Sequence, residues 1–211
     1  MARSPYQPGS KSLSRHLVRA ALICGGCVAI LLPAWLPNRP GVPLTRGTVE
    51  LLQALLLVAG AAVMLGASPH TGPNRPICRA IALCLFAAVV GEIEDFFWDF
   101  LQIKLPEGEI ICVILAIALV TCLRHKRTVL RFGRSLGSHT GTGFIGAALL
   151  ILYVFNRVMG SAVFWKASLG DAFAPEIPRI CKSYLELLAC YLIFVGTLGL
   201  AISLARRPEP E

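Results

Sequence analysis

The sequence predicts an all-α fold, a polytopic integral membrane protein of about six transmembrane helices, and three observations carry that prediction. Of 211 residues, 55% are hydrophobic and only 15% charged, and the mean hydropathy of +0.68 is too high for an ordinary soluble domain. The apolar residues gather in six runs, at 17–36, 51–67, 81–101, 110–123, 142–160 and 183–205. Most of these approach the roughly 20 residues a helix needs to cross about 30 Å of hydrocarbon. Their unbroken Leu- and Ala-rich composition lacks the alternation of a transmembrane strand.

The domain reading follows. Residues 1–15, with Pro5, Pro8, Gly9 and several serines, form an unstructured tail; 16–207 form one six-helix domain; 208–211 form a second short tail. The intervening connections are too short for another globular domain.

The net charge of +8 in a soluble protein would suggest nucleic acid. Here the placement of charge matters more. With six spans and a cytoplasmic N-terminus, thirteen Lys/Arg fall on the cytoplasmic side and six outside, with Arg157 inside a helix, so both termini are cytoplasmic by the positive-inside rule. These cations serve topology and lipid headgroups, not nucleic acid. Size and simplicity favour a bacterial inner (plasma) membrane.

In chain order, the first run begins like a signal peptide, but Pro37-Asn38-Arg39-Pro40 follows it where a small-residue cleavage site would stand, so it is read as a retained helix. Its Cys24-Gly25-Gly26-Cys27 has redox spacing but lies inside hydrocarbon, where a thiolate is disfavoured, and close helix packing explains it better. The second run opens with Glu50 and Gln53 near its outer end. The fourth, 110–123, is short and is either a span with Glu107 and Glu109 at the interface or a partly re-entrant element. After it come Arg124-His125-Lys126-Arg127, then Arg131 and Arg134, then a loop rich in Gly and hydroxyl residues over 133–143. That loop lacks the Gly-Lys-Ser/Thr ending of a nucleotide-binding loop. Arg131 and Arg134 are its candidates for an anionic lipid headgroup. The long outer connection 161–182 is moderately apolar and is expected to lie on the membrane surface, over whatever opens there.

The third run sets the functional question. It holds Glu92, Glu94, Asp95 and Asp99 in a segment otherwise made of Leu, Ile, Val, Phe and Trp. Its apolar residues contribute roughly −3 to −6 kcal/mol toward insertion, while four mid-membrane acids cost about +10 kcal/mol or more. A cation, protonation or a water-filled cavity must close that gap. At 100° per residue, Glu92, Asp95 and Asp99 fall within about 60° on one face. The topology adds Asn156, Arg157 and Glu186 at similar depth on the fifth and sixth helices.

Three functions fit. The leading one is an externally accessible acidic site, at Glu92, Asp95, Asp99, Asn156, Arg157 and Glu186, that binds or transports a cation, a proton or a cationic solute, with Arg157 pairing one or two carboxylates. The second is an intramembrane enzyme acting on a lipid or lipid-linked substrate, in which the oxygen ligands Glu92, Asp95 and Asp99 would hold Mg, Mn or Ca. The third is a structural subunit whose acids are saturated by Arg157 and Lys182. Zinc is disfavoured because all four histidines map to the cytoplasmic side. No strand-turn-Ser elbow appears, so serine hydrolysis is weakly supported.

Overall fold

The computed structural model describes residues 23–30, 46–101, 106–139 and 141–206, and for residues 46–47, 94–101 and 206 it describes the backbone alone. Among the described residues all regular structure is helical. The tails expected at 1–15 and 208–211 lie outside the described residues, as does most of the first predicted span. Residues 23–30 of that span are helical (α1).

The chain continues through α2 (Arg46–Ala67), two 3-10 turns (Ser68–His70 and Gly72–Asn74), α3 (Arg75–Leu101), α4 (Glu107–Arg124) and α5 (Lys126–Ser135). A 3-10 turn (Leu136–Ser138) leads to α6 (Thr142–Leu150), a π-helical turn (Ile151–Phe155), α7 (Asn156–Met159), α8 (Ala162–Leu169) and α9 (Glu176–Arg206). Among the described residues, four helical stretches are long and apolar enough to cross a membrane: Thr48–His70, Gly72–Ile93, Thr142–Met159 and Glu176–Ala205. Counting α4 and α5 as one bent span makes five.

Helix boundaries follow local chemistry. Pro76 and Pro178 sit in the first turns of α3 and α9, where the missing N–H would have no intrahelical partner. Pro178 therefore does not break the chain, and the last helix starts at Glu176, earlier than the apolar run from 183. The short fourth run becomes an 18-residue helix, about 27 Å long. After His125 the chain turns by 90°. The basic stretch is helical through Ser135, so Arg134 lies on a helix surface with Arg131 and not in the loop the sequence suggested.

Packing is built on α9. One core joins α2, α3 and α9 through Leu57, Ala61, Met64, Ala82, Leu85 and Leu200. A second joins α6 to α9 through Ala148, Ala189 and Leu192, with Cys27 of α1 against it. The Tyr191 ring lies directly on Gly26. Among the described residues helix α4 packs chiefly along α3, and it leaves Val113, Ile117 and Leu119 exposed, as a lipid-facing helix would. Gly141 has φ 111°, and a methyl group there would strike the Gly196 carbonyl, so α6 and α9 begin their contact backbone to backbone.

The helices alternate in direction, which gives the bundle two ends. The 68–74 connection, α5, the start of α6 and the end of α9 form a basic end. The start of α2, the end of α3, the start of α4, α7, α8 and the start of α9 form an acidic end.

Candidate functional site

Glu92 lies on α3, about 14 Å of helix before its end at Leu101. It meets α2 through Gln53, one of the few buried polar residues, only 1% exposed. With the amide nitrogen turned toward the acid, Gln53 donates to Glu92 Oε2 at 2.8 Å and accepts from the Leu187 N–H at 3.2 Å. The same amide lies 3.3 Å from the Ser183 carbonyl. Ser183 and Leu187 are an i, i+4 pair, so Gln53 docks into a single turn of α9. One side chain thus ties three helices together at the level of the acid.

The second described carboxylate, Glu186, stands on that same turn. Asn156 Nδ2 donates to its Oε1 at 2.8 Å, and Lys182 Nζ lies 3.7 Å from the same oxygen. Lys182 is more than half exposed, so this i, i+4 pair is worth under about 1 kcal/mol. The other Asn156 atom, Oδ1, is closed off from solvent and has no hydrogen-bond donor among the described residues. Cys190, buried one turn further along α9, is within electrostatic reach of both Glu92 and Glu186.

The π turn determines where Asn156 points. Ala148 marks the face of α6 that packs on α9. Eight residues of regular helix would place Asn156 about 80° away from that face. The π turn at Ile151–Phe155 absorbs one extra residue and returns it to within about 20°. Asn156 then reaches Glu186.

The structure pairs two of the six sequence-predicted residues, Asn156 and Glu186, and places Glu92 against Gln53, which docks on the α9 turn that carries Glu186. The side chains of Asp95 and Asp99 lie outside the described residues, so the stripe and the proposed metal ligands are followed only as far as Glu92. Among the described residues no three His, Cys, Asp or Glu gather as a metal site. Arg157 is exposed and forms no ion pair with a described carboxylate; Glu186 is held by Asn156 and Lys182 instead. Glu107 at the start of α4 leans on Gly91, where an added methyl group would come within 3.2 Å of its Oε1.

Two features were not assembled from the sequence. Gln53 was legible only as a polar residue near a helix start. At the basic end His139 Nδ1 lies 3.0 Å from Ser203 Oγ and Nε2 lies 3.1 Å from Ser135 Oγ, with the ring stacked on Phe132 at 5.3 Å. Ser135 Oγ also donates to the Phe132 carbonyl at 3.1 Å. With its hydrogen committed there, Ser135 receives the imidazole N–H and is not activated as a nucleophile. The cluster is a strut between α5 and α9. All eight cysteines, Cys24 and Cys27 included, are free thiols.

Comparison with protein-family models, with curated proteins and with solved structures gave no match.

Proposed function

We propose that this is an integral membrane protein of six spans, with both termini cytoplasmic, that binds a proton or small cation at intramembrane carboxylates reached from the acidic end. The observation that carries the reading is the Gln53–Glu92 contact. The Gln53 amide nitrogen donates to Glu92 Oε2 at 2.8 Å and its oxygen accepts from the Leu187 N–H at 3.2 Å. A buried amide on a neighbouring helix thus supports an intramembrane acid with a neutral hydrogen-bond donor, which holds the carboxylate in place without neutralising its charge.

Glu186 on the same turn of α9, with Asn156 Oδ1 of α7 beside it, adds oxygen acceptors, which suits a cationic occupant. Toward the basic end, Met64, Ala82, Leu85 and Leu200 fill the core, and the buried Thr197 hydroxyl is turned to its own helix at Phe194 O, 2.8 Å away. This favours binding from one side over passage through a single chain. The bacterial inner membrane remains the proposed location.

The test is infrared difference spectroscopy of the reconstituted protein between acidic and mildly alkaline buffer, with calorimetry against Mg, Mn and Ca. A titrating carboxylic-acid band that disappears in Glu92→Gln supports the reading, as does saturable metal binding lost in the same variant. If Glu92→Gln changes neither signal, the carboxylates are a packing network and the proposal falls.

A further inference from the structure

Two donors converge on one oxygen of Glu186, and they are held very differently. Asn156 Nδ2 of α7 donates to Oε1 at 2.8 Å, and Lys182 Nζ, one turn earlier on α9, lies 3.7 Å from the same atom. The Asn156 amide is fixed: the π turn sets its direction, and its Oδ1 is closed off from solvent. Lys182 is 55% exposed, and a Lys four residues before a Glu is the less favourable order of the pair on a helix. Its ammonium can leave the carboxylate for water at little cost, while the amide stays.

The lysine is nonetheless seated. Gly160, which closes α7, has no side chain, and a methyl group there would come within 3.6 Å of Lys182 Cδ and 3.8 Å of Lys182 Cβ. The aliphatic stem therefore runs along the end of α7 and delivers the ammonium to Glu186. Trp165 Nε1 donates to the Met159 carbonyl at 2.6 Å and pins that corner. On the acceptor side, Asn156 Oδ1 belongs to the amide that donates to Glu186, so it stands close beside the carboxylate, and it has no donor among the described residues. A buried carbonyl oxygen left in that condition is costly. A ligand with N–H groups removes the cost while its charge meets the carboxylate.

We infer that Glu186 and Asn156 form a subsite for a primary ammonium group, and that Lys182 is its tethered competitor, holding the carboxylate until the ligand displaces it. The class of ligand follows from the groups present. The carboxylate supplies the charge, Asn156 Oδ1 accepts an N–H, and the group already docked on Oε1 is itself a primary ammonium. This ligand class rests on the reading of the acidic end as a cation site, and it requires no titration of Glu92.

The test is calorimetry of the full chain in zwitterionic lipid nanodiscs and amine-free buffer, titrating methylammonium, tetramethylammonium, sodium and magnesium chloride at one ionic strength. Methylammonium should bind saturably, while tetramethylammonium, which carries the charge but no N–H, should not. Lys182→Met should bind methylammonium several-fold more tightly, Asn156→Leu about three- to tenfold more weakly, and Glu186→Gln not at all. Lys166→Met, an exposed lysine on α8, should leave the affinity unchanged. Should Glu186→Gln fail to fold, the exposed Lys182→Met and Asn156→Leu carry the test. Equal or weaker binding in Lys182→Met overturns the role of the lysine. No methylammonium binding in wild type or Lys182→Met, equal binding of tetramethylammonium, or binding of sodium or magnesium in its place overturns the ligand class. The two readings separate cleanly. Methylammonium binding lost in Glu186→Gln, with Glu92→Gln spectroscopically silent, keeps this subsite and removes the Glu92 reading; a Glu92 carboxylic-acid band without methylammonium binding does the reverse.

Discussion

Gln53 on α2 and Glu92 on α3 meet at 2.8 Å inside the bundle, with the other end of the Gln53 amide on the Leu187 N–H of α9. Gln53 is buried, so its share of these hydrogen bonds is not replaced by solvent when they break, while Glu92 is half-buried. Gln53→Leu should lower stability by about 1–2 kcal/mol, and a double-mutant cycle with Glu92→Gln should return a coupling of similar size. Thermal unfolding in a mild detergent measures both; additivity of the two substitutions would show that the contact carries no energy.

The π turn between α6 and α7 makes a register prediction. Deleting Val154, an exposed residue within it, should restore regular helix and swing Asn156 off the face that packs on α9. In a background with the native cysteines replaced by alanine, Asn156→Cys and Glu186→Cys should form a disulfide on mild oxidation. With Val154 deleted, the same pair should not. Equal crosslinking in both would remove the π turn from the account of the site.

Gly141 and Gly196 should tolerate no side chain. Gly141→Ala places a Cβ at φ 111° and against the Gly196 carbonyl, and Gly196→Ala drives one to within 2.6 Å of Ile145 Cγ1. Each should destabilise by about 2–4 kcal/mol. Gly146→Ala, on the same α6 but facing open space, should be neutral or stabilising by up to about 1 kcal/mol. Unfolding midpoints of the three variants provide the comparison.

Topology can be read with a membrane-impermeant maleimide. Lys126→Cys, at the start of α5, and Lys166→Cys, on α8, should label from opposite sides of the membrane, with Lys126→Cys protected in intact cells. Labelling of both from one side would show that Thr142–Met159 does not cross and reduce the number of spans.

The sequence by itself determined the class of the molecule and the position of most of its helices. Hydropathy is local: a run of about 20 apolar residues in lipid has to satisfy its backbone within itself and so is helical whatever its neighbours do. The run at 142–160 accordingly matches Thr142–Met159, and the acid embedded at Glu92 was visible from composition alone. Whether each helix crosses, and in which direction, was left to charge counting. Tertiary structure alone decided the partners. Glu186 is held by Asn156 and Lys182, where the charges alone pointed to Arg157, because an unforeseen π turn set the register. Gln53 became the partner of Glu92 because α2, α3 and α9 share one core. His139 found Ser203, 64 residues away, because the backbone contact of Gly141 with Gly196 brings the start of α6 onto α9. Each of these pairings depends on the rotation and offset of one helix against another, which side-chain packing fixes and which no local pattern encodes.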